Sequence, residues 1–189
     1  MGQLLFYYPN RPTLMPPEKN KIDAMEKSGE YVAEKKWNGD NILIFTDTMQ
    51  IWNRRKERHR FIPSPAMREE LNKWPKHSLL NAELMNYRTK LIKDIIIVHC
   101  VMVWEGNVLN GKTWGDSRKI LDDQPSGAHV QVSQVYKKGF WKLFQEADGE
   151  TIEGIIIKRL AGKLIFSCTP IADTSFMIKI RKPCKKYRF

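Results

Sequence analysis

Tyr31-Val32-Ala33-Glu34-Lys35-Lys36-Trp37-Asn38-Gly39-Asp40-Asn41-Ile42-Leu43-Ile44-Phe45 decides how the chain is read. A short apolar lead, Tyr31-Val32-Ala33, runs into two lysines, and a second apolar run, Ile42 to Phe45, follows Asn38-Gly39. Asn-Gly between two apolar runs predicts a hairpin turn, because both residues tolerate positive φ. Such a turn holds Lys36 at the end of one strand. A lysine held there is either a surface charge or a nucleophile, the second if neighbouring cations or partial burial favour its neutral amine. Lys35 is one such cation.

The 189 residues suffice for one domain with a core of its own. With 32 Lys+Arg against 21 Asp+Glu, the net charge of +11 points to a polyanionic partner, most simply nucleic acid. Cys100, Cys168 and Cys184 are odd in number and widely spaced, so neither a disulfide framework nor a zinc spacing is indicated. Leu4 to Tyr8 is too short for a signal peptide and ends at Pro9, and no apolar run has membrane-spanning length. A soluble, reducing, intracellular setting (the cytoplasm, including that of a virus-infected host) and a monomeric chain are expected.

In chain order, the prolines of residues 1–17 predict an extended lead-in, and Pro17-Glu18 opens a helix that stops at Ser28-Gly29. Met49 to Asn53 reads as a strand, and Pro65 to Trp74 as a helix with Met67, Leu71 and Trp74 on one face. Leu79 to Met85 and Asp94 to Trp104 are apolar strands, the second continuous enough to be buried on both faces. A helix over Asp116 to Asp123, capped by Asp116, precedes an alternating strand from Val130 to Tyr136. Phe140, Leu143, Phe144 and Ala147 mark a helix face, and Ile152 to Lys158, Leu164 to Cys168 and Phe176 to Ile180 are the last strands. About nine strands and four short helices, mostly joined by tight turns, give an α+β domain with a bent or double, mostly antiparallel sheet.

Gly106-Asn-Val-Leu-Asn-Gly111-Lys112-Thr113 fits the phosphate-loop pattern and follows an apolar strand. Trp114-Gly115-Asp116 separates it from the expected helix, and no partner strand ends in a magnesium-binding aspartate, so a plain strand-to-helix turn is the stronger reading. A second constellation is dispersed: Lys36, Arg54, Glu83, then Glu153-Gly154-Ile155-Ile156-Ile157-Lys158, then Lys179-Ile180-Arg181. A carboxylate in an apolar strand is costly unless it is paired, hydrogen-bonded or metal-bound, and Glu83 and Glu153 both need such an explanation. A shared divalent ion or shared lysines would serve both. Lys179 and Arg181 leave one strand face while Ile178 and Ile180 take the other, which suits a triphosphate or a charge-blunted edge strand.

In this order the residues resemble the covalent nucleotidyltransferases, namely ATP-dependent DNA ligases, RNA ligases and mRNA capping enzymes. The resemblance spans about residues 30–182. Lys36-Trp37-Asn38-Gly39 is similar to their K-x-[D/N/H]-G nucleophile motif, Arg54 to the arginine of the following strand, and Asn81-Ala82-Glu83-Leu84 to D-G-E-L. Asp94 to Trp104 falls on the strand that offers an aromatic to the purine, Glu153 to Lys158 on E-G-[apolar]₃-K, and Lys179-Ile180-Arg181 on K-x-K. A helix with an arginine, around Arg118, also fits. Asn38 and Asn41 look more like RNA ligases, Ala82 replaces glycine, His99-Cys100 replaces the usual Phe-Asp, and Arg181 replaces lysine.

The resemblance implies a nucleotidyltransferase (ATP-grasp-like) fold and a single adenylyltransferase domain over 1–189, with no oligonucleotide-binding barrel after it. It implies an ATP-dependent polynucleotide ligase. Lys36 would form a lysyl–AMP, and Glu34, Asn41, Arg54, Glu83, His99, Lys158, Lys179 and Arg181 would contact the nucleotide. Glu34 would take the adenine amino group and His99 would stack on the purine. Glu153 and Glu83 would organise Mg²⁺ or Mn²⁺. Phosphates of a nicked duplex or strand end would meet Arg55, Lys56 and Arg58 within the basic run 54–60, a run that is otherwise a solvated loop, and Lys182, Lys185 and Lys186. Asn38 and Asn41 favour RNA as substrate, ahead of a small nick-sealing DNA ligase and then a capping guanylyltransferase. Outside enzymes, a basic nucleic-acid-binding module is the rival.

Overall fold

The computed structural model describes residues 5–89 and 92–183. In chain order its elements are β1 (Arg11–Leu14), α1 (Lys19–Ser28), β2 (Tyr31–Trp37), β3 (Asp40–Phe45), β4 (Gln50–Asn53), α2 (Pro65–Asn72), β5 (Leu79–Met85), β6 (Ile95–Trp104), β7 (Asn107–Val108), α3 (Trp114–Asp122), β8 (Val130–Val132), β9 (Val135–Tyr136), α4 (Phe140–Gln145), β10 (Ile152–Arg159) and β11 (Asp173–Arg181). They form two sheets. One has the order β1-β11-β10-β2-β9; the other runs β4-β3-β5-β6-β7, with β8 added beside β6. Pairing is antiparallel except for β1 with β11 and β6 with β8. This is the α+β, double-sheet arrangement expected.

Period-two alternation separates the two faces of the first sheet. Ala33, Ile155, Ile157 and Ile180 pack in a core with Ile22 of α1 and with Phe140, Leu143 and Phe144 of α4. The opposite face carries Glu34, Lys36, Lys158, Lys179 and Arg181 of the same strands. In the second sheet Ile42, Ile44, Leu80, Ala82, Leu84, Ile96 and Val98 join Met67, Leu71 and Trp74 in the larger core. Ser64 caps α2 by accepting from the Met67 amide at 3.3 Å, and Gly29 ends α1 at φ 69°.

The predicted hairpin at Asn38-Gly39 is not one. β2 pairs with β10 and β9, and β3 with β4 and β5, so the dipeptide carries the chain from one sheet to the other. Neither residue has positive φ. Glycine is needed instead for close approach, since a Cβ there would meet the Leu84 carbonyl oxygen at 2.5 Å. The predicted strand Val130 to Tyr136 breaks at Ser133-Gln134 into β8 and β9, one in each sheet. Leu164 to Cys168 makes no strand; an isolated bridge pairs Tyr8 with Ser167. The proline-rich lead-in contributes β1, and the cap of α3 is Thr113, whose hydroxyl accepts from the Asp116 amide at 3.1 Å.

Two register faults shape the inner faces. Ile152 faces Trp37 and Gly154 faces Lys36, so Glu153 is an extra residue in β10. Asn81 faces Cys100 and Ala82 faces Val98, so His99 is an extra residue in β6. A bulge re-aims the extra side chain. Gly154, at φ 152°, completes the first, because a Cβ there would lie 2.0 Å from the Ile180 carbonyl oxygen. Gly154→Ala is expected to lower stability by about 3 kcal/mol or more in urea unfolding, since backbone rather than a side chain must yield; a loss under about 1 kcal/mol would show that the bulge relaxes freely.

Candidate active site

The charged face of the first sheet is built by register. Lys36, Gly154 and Arg181 lie in one row across β2, β10 and β11, and Glu34, Ile156 and Lys179 lie in the next. The bulge turns Glu153 onto this face. Its Oε2 lies 2.5 Å from Lys36 Nζ and 3.1 Å from Arg181 Nε. Lys158 Nζ lies 2.8 Å from Glu34 Oε1, with side-chain exposures of 1% and 3%, which makes this a fully desolvated pair. Lys158 also reaches the His99 carbonyl at 3.4 Å in the second sheet and sits 5.0 Å from the centroid of the Trp114 ring. β11 is flanked by β1 and β10, so Lys179 and Arg181 do not blunt an edge. Burial, with help from the Arg181 charge, holds the Lys179 ammonium below its ordinary pKa despite Asp173.

The second sheet supplies Glu83, Asn41 and His99. Glu83 accepts from the Gly39 amide at 3.0 Å, and burial pushes its pKa up to about 7 against the pull of Lys36, with Glu153 adding like-charge repulsion. Asn41 Nδ2 lies 3.4 Å from His99 Nε2. Thus Lys36, Glu34, Glu83, Glu153, Lys158, Lys179, Arg181, Asn41 and His99 converge from two sheets. Asn53 faces Ile42, so Arg54 leaves β4 at the end of the sheet where Asn41 and Glu83 lie, and it is exposed there. Arg55, Lys56 and Arg58 are exposed in the same turn. Lys182 is spent locally, donating to the Gln145 carbonyl at 3.1 Å. Lys185 and Lys186 lie outside the described residues.

Among the described residues no group of three or more His, Cys, Asp or Glu could hold a metal as a protein cage. Glu83 and Glu153 nevertheless repel each other, and two carboxylates fit Mg²⁺, which takes one or two from protein and completes its shell with phosphate and water.

The support behind Glu34 leaves little trace in the sequence. Its Oε2 accepts from Ser133 Oγ at 3.0 Å, and Arg118 holds the Ser133 carbonyl at 2.7 Å while pairing with Asp122. Ser133 is visible in the sequence only as a polar residue inside an apolar alternation. Both Glu34 oxygens are therefore engaged. A cavity of about 830 Å³ opens beside this chain of contacts, lined in part by Val32, Trp114, Arg118, Ser133 and Leu160, and it includes none of Lys36, Glu83, Glu153 or Lys158. Another unforeseen group lies near Asp40: Arg88 pairs with it at 2.8 Å, and the Arg60 guanidinium sits 4.7 Å from the Tyr87 ring centroid.

The phosphate-loop pattern does not form a phosphate cradle. The amides of Gly106, Leu109, Gly111 and Lys112 donate to the carbonyls of His77, Met102, Leu164 and Leu109, and Asn107-Val108 is a strand paired to β6. A helix does start at Trp114, directly after Lys112-Thr113, but the loop before it has its donors occupied.

Solved structures that share this fold include DNA ligases. A Lig E DNA ligase, described as binding DNA with a minimal scaffold, has 13% identity and a TM-score of 0.61 over 92% of this chain and 69% of its own. The ligase domain of M. tuberculosis LigD has 14% identity and a TM-score of 0.64 over 92% of this chain and 59% of its own. The ATP-dependent DNA ligase of bacteriophage T7, in complex with ATP, has 13% identity and a TM-score of 0.52 over 92% and 68%. The chain thus shares the fold of ATP-dependent DNA ligase domains, while spanning 59% of the length of the LigD domain. No protein-family model and no curated protein sequence matches it.

Two predictions follow from the burial of these charges. Lys158→Met leaves Glu34 charged and unpaired, and urea unfolding should show a loss of about 3 to 5 kcal/mol, most of it recovered in Glu34→Gln/Lys158→Met. For Glu83 the folded pKa of about 7 lies above the ordinary 4.5, so wild type loses stability relative to Glu83→Gln as pH rises from 4.5 through 7, with no further change above. A stability difference that is flat across that window would mean that Glu83 titrates normally.

Proposed function

We propose that the chain is the nucleotide-activating unit of an ATP-dependent polynucleotide ligase. The observation that carries this reading is the row Lys36, Gly154 and Arg181, with Glu153 turned onto Lys36 and Lys158 and Lys179 on the same face. One amine is held among cations and a carboxylate, which is what attack on a triphosphate needs.

In the resting chain Lys36 is ion-paired to Glu153. For attack the pair parts and the lysine loses a proton. The amine then forms a bond to the α-phosphorus of ATP in line, while the bond to pyrophosphate breaks. Lys158, Lys179 and Arg181 neutralise phosphate oxygens. Glu153 and Glu83 would hold a divalent ion, which when bound neutralises developing charge on the phosphates. Phosphate binding would have to offset the loss of the buried Glu34–Lys158 pair, sending Lys158 to the phosphates and leaving Glu34 Oε1 for the adenine amino group. The AMP next passes to a 5′-phosphate, and a 3′-hydroxyl displaces it to seal the strand. The exposed Arg54, Arg55, Lys56 and Arg58 would hold the polynucleotide by its phosphates.

Asn38 Nδ2 donates to the Glu150 carbonyl at 2.6 Å, and Asn41 is engaged with Asn81 and His99, so each has a structural task that argues for neither sugar. The acceptor is accordingly read as nicked DNA or RNA. The test is incubation with ATP or GTP, labelled at the α-phosphate, with Mg²⁺. A label from ATP should survive denaturation, persist in Lys112→Ala and vanish in Lys36→Ala; nicked DNA and RNA duplexes then identify the acceptor. A label from GTP alone would indicate capping chemistry, and no label in protein purified free of AMP would leave a binding module.

A further inference from the structure

The polar floor of the cleft leaves one donor over. Asn81 Nδ2 donates to the backbone carbonyl of Ile42 at 3.1 Å and to Asn41 Oδ1 at 3.2 Å. Asn41 Nδ2 then faces the Ala82 carbonyl and His99 Nε2, each at 3.4 Å. Backbone carbonyls only accept, so both amides have a single consistent orientation. His99 Nε2 therefore faces an N–H group and is the unprotonated nitrogen. Burial, reinforced by the charges of Lys158 and Lys36, brings the imidazolium pKa down to about 3, so the ring is neutral and its proton lies on Nδ1. That N–H has no protein acceptor among the described residues, and it is not among their fully enclosed unpartnered atoms.

We infer that His99 is a hydrogen-bond donor to a ring-nitrogen acceptor of the bound purine, and not a stacking platform for it. The inference rests on the nucleotide reading above and assigns the base contact within it. Asn41 and Asn81 are positioning residues: by occupying Nε2 they fix which nitrogen carries the proton. The bulge at His99 sets the ring over β5, within reach of β3. A base with C–H in place of the acceptor would cover the donor without pairing it, and a site built this way rejects it.

The experiment measures equilibrium binding to Lys36→Ala, which keeps the cleft but cannot form the covalent bond. The probes are ATP and three analogues in which N1, N3 or N7 of adenine is replaced by C–H. One analogue should bind about tenfold or more weakly than ATP. In Lys36→Ala/His99→Phe, ATP should fall to the level of that analogue and the difference between them should disappear. Phenylalanine is the larger stacking surface, so undiminished ATP binding by this variant would overturn the inference. So would equal affinity for all four nucleotides with His99 in place, a comparison that does not depend on the phenylalanine variant folding, or discrimination that persists without His99. A chain that binds none of the four overturns the nucleotide reading itself, and this inference with it; binding that ignores position 99 overturns this inference alone.

Discussion

The buried pair between Glu34 and Lys158 is the constraint on which the rest of the structure depends. Each charge is nearly sealed from water, and either alone would be costly there. The pair is tolerable because its remaining hydrogen-bonding capacity is met by other elements. Ser133 donates from the crossing between β8 and β9, the His99 carbonyl faces the ammonium from the second sheet, and Trp114 of α3 lies beneath it. Two sheets and a helix are thereby referred to one point. The apolar cores supply the stability, and Val32 of β2 joins the first sheet to the larger core; the polar contacts add a fixed register to that meeting.

Around that point the charge is unbalanced by design of the register. Lys36, Lys158, Lys179 and Arg181 outnumber Glu34 and Glu153 on the face they share, and burial shifts Glu83 opposite them toward its neutral form. A surplus of positive charge in a partly desolvated cleft favours an anion that can displace water and satisfy several cations at once. It also explains why Lys179 is held below its ordinary pKa and His99 is kept neutral: each responds to the same desolvation and the same crowd of cations.

Much of this was legible in the sequence. Apolar periodicity located β5, β6, β10 and the helices, and the alternation of Lys179 and Arg181 with Ile178 and Ile180 set their faces correctly. The isolated carboxylates Glu83 and Glu153 announced themselves because ionisable groups in apolar strands demand partners. What failed was pairing. Asn38-Gly39 looks the same whether it folds a strand back or passes it to another sheet, because close approach to Leu84 and positive φ both ask for glycine. Ser133 splits β8 from β9 without a proline or glycine to signal it. Arg118 and Trp114 sit in an amphipathic helix whose pattern reports burial and not which charge they support.

Glu153 and His99 share a property with a wider consequence. Each is a supernumerary residue of its strand, and in a regular ladder Glu153 would point away from the cleft. Removing either by deletion would give a smoother sheet with more uniform pairing, and would erase a functional group along with the irregularity. Such a fold cannot be idealised without being disarmed: a redesign that rewarded unbroken strand geometry would discard two of the positions where the backbone departs from it, and would keep a well-packed sandwich whose cleft had lost both the Glu153 carboxylate and the His99 imidazole.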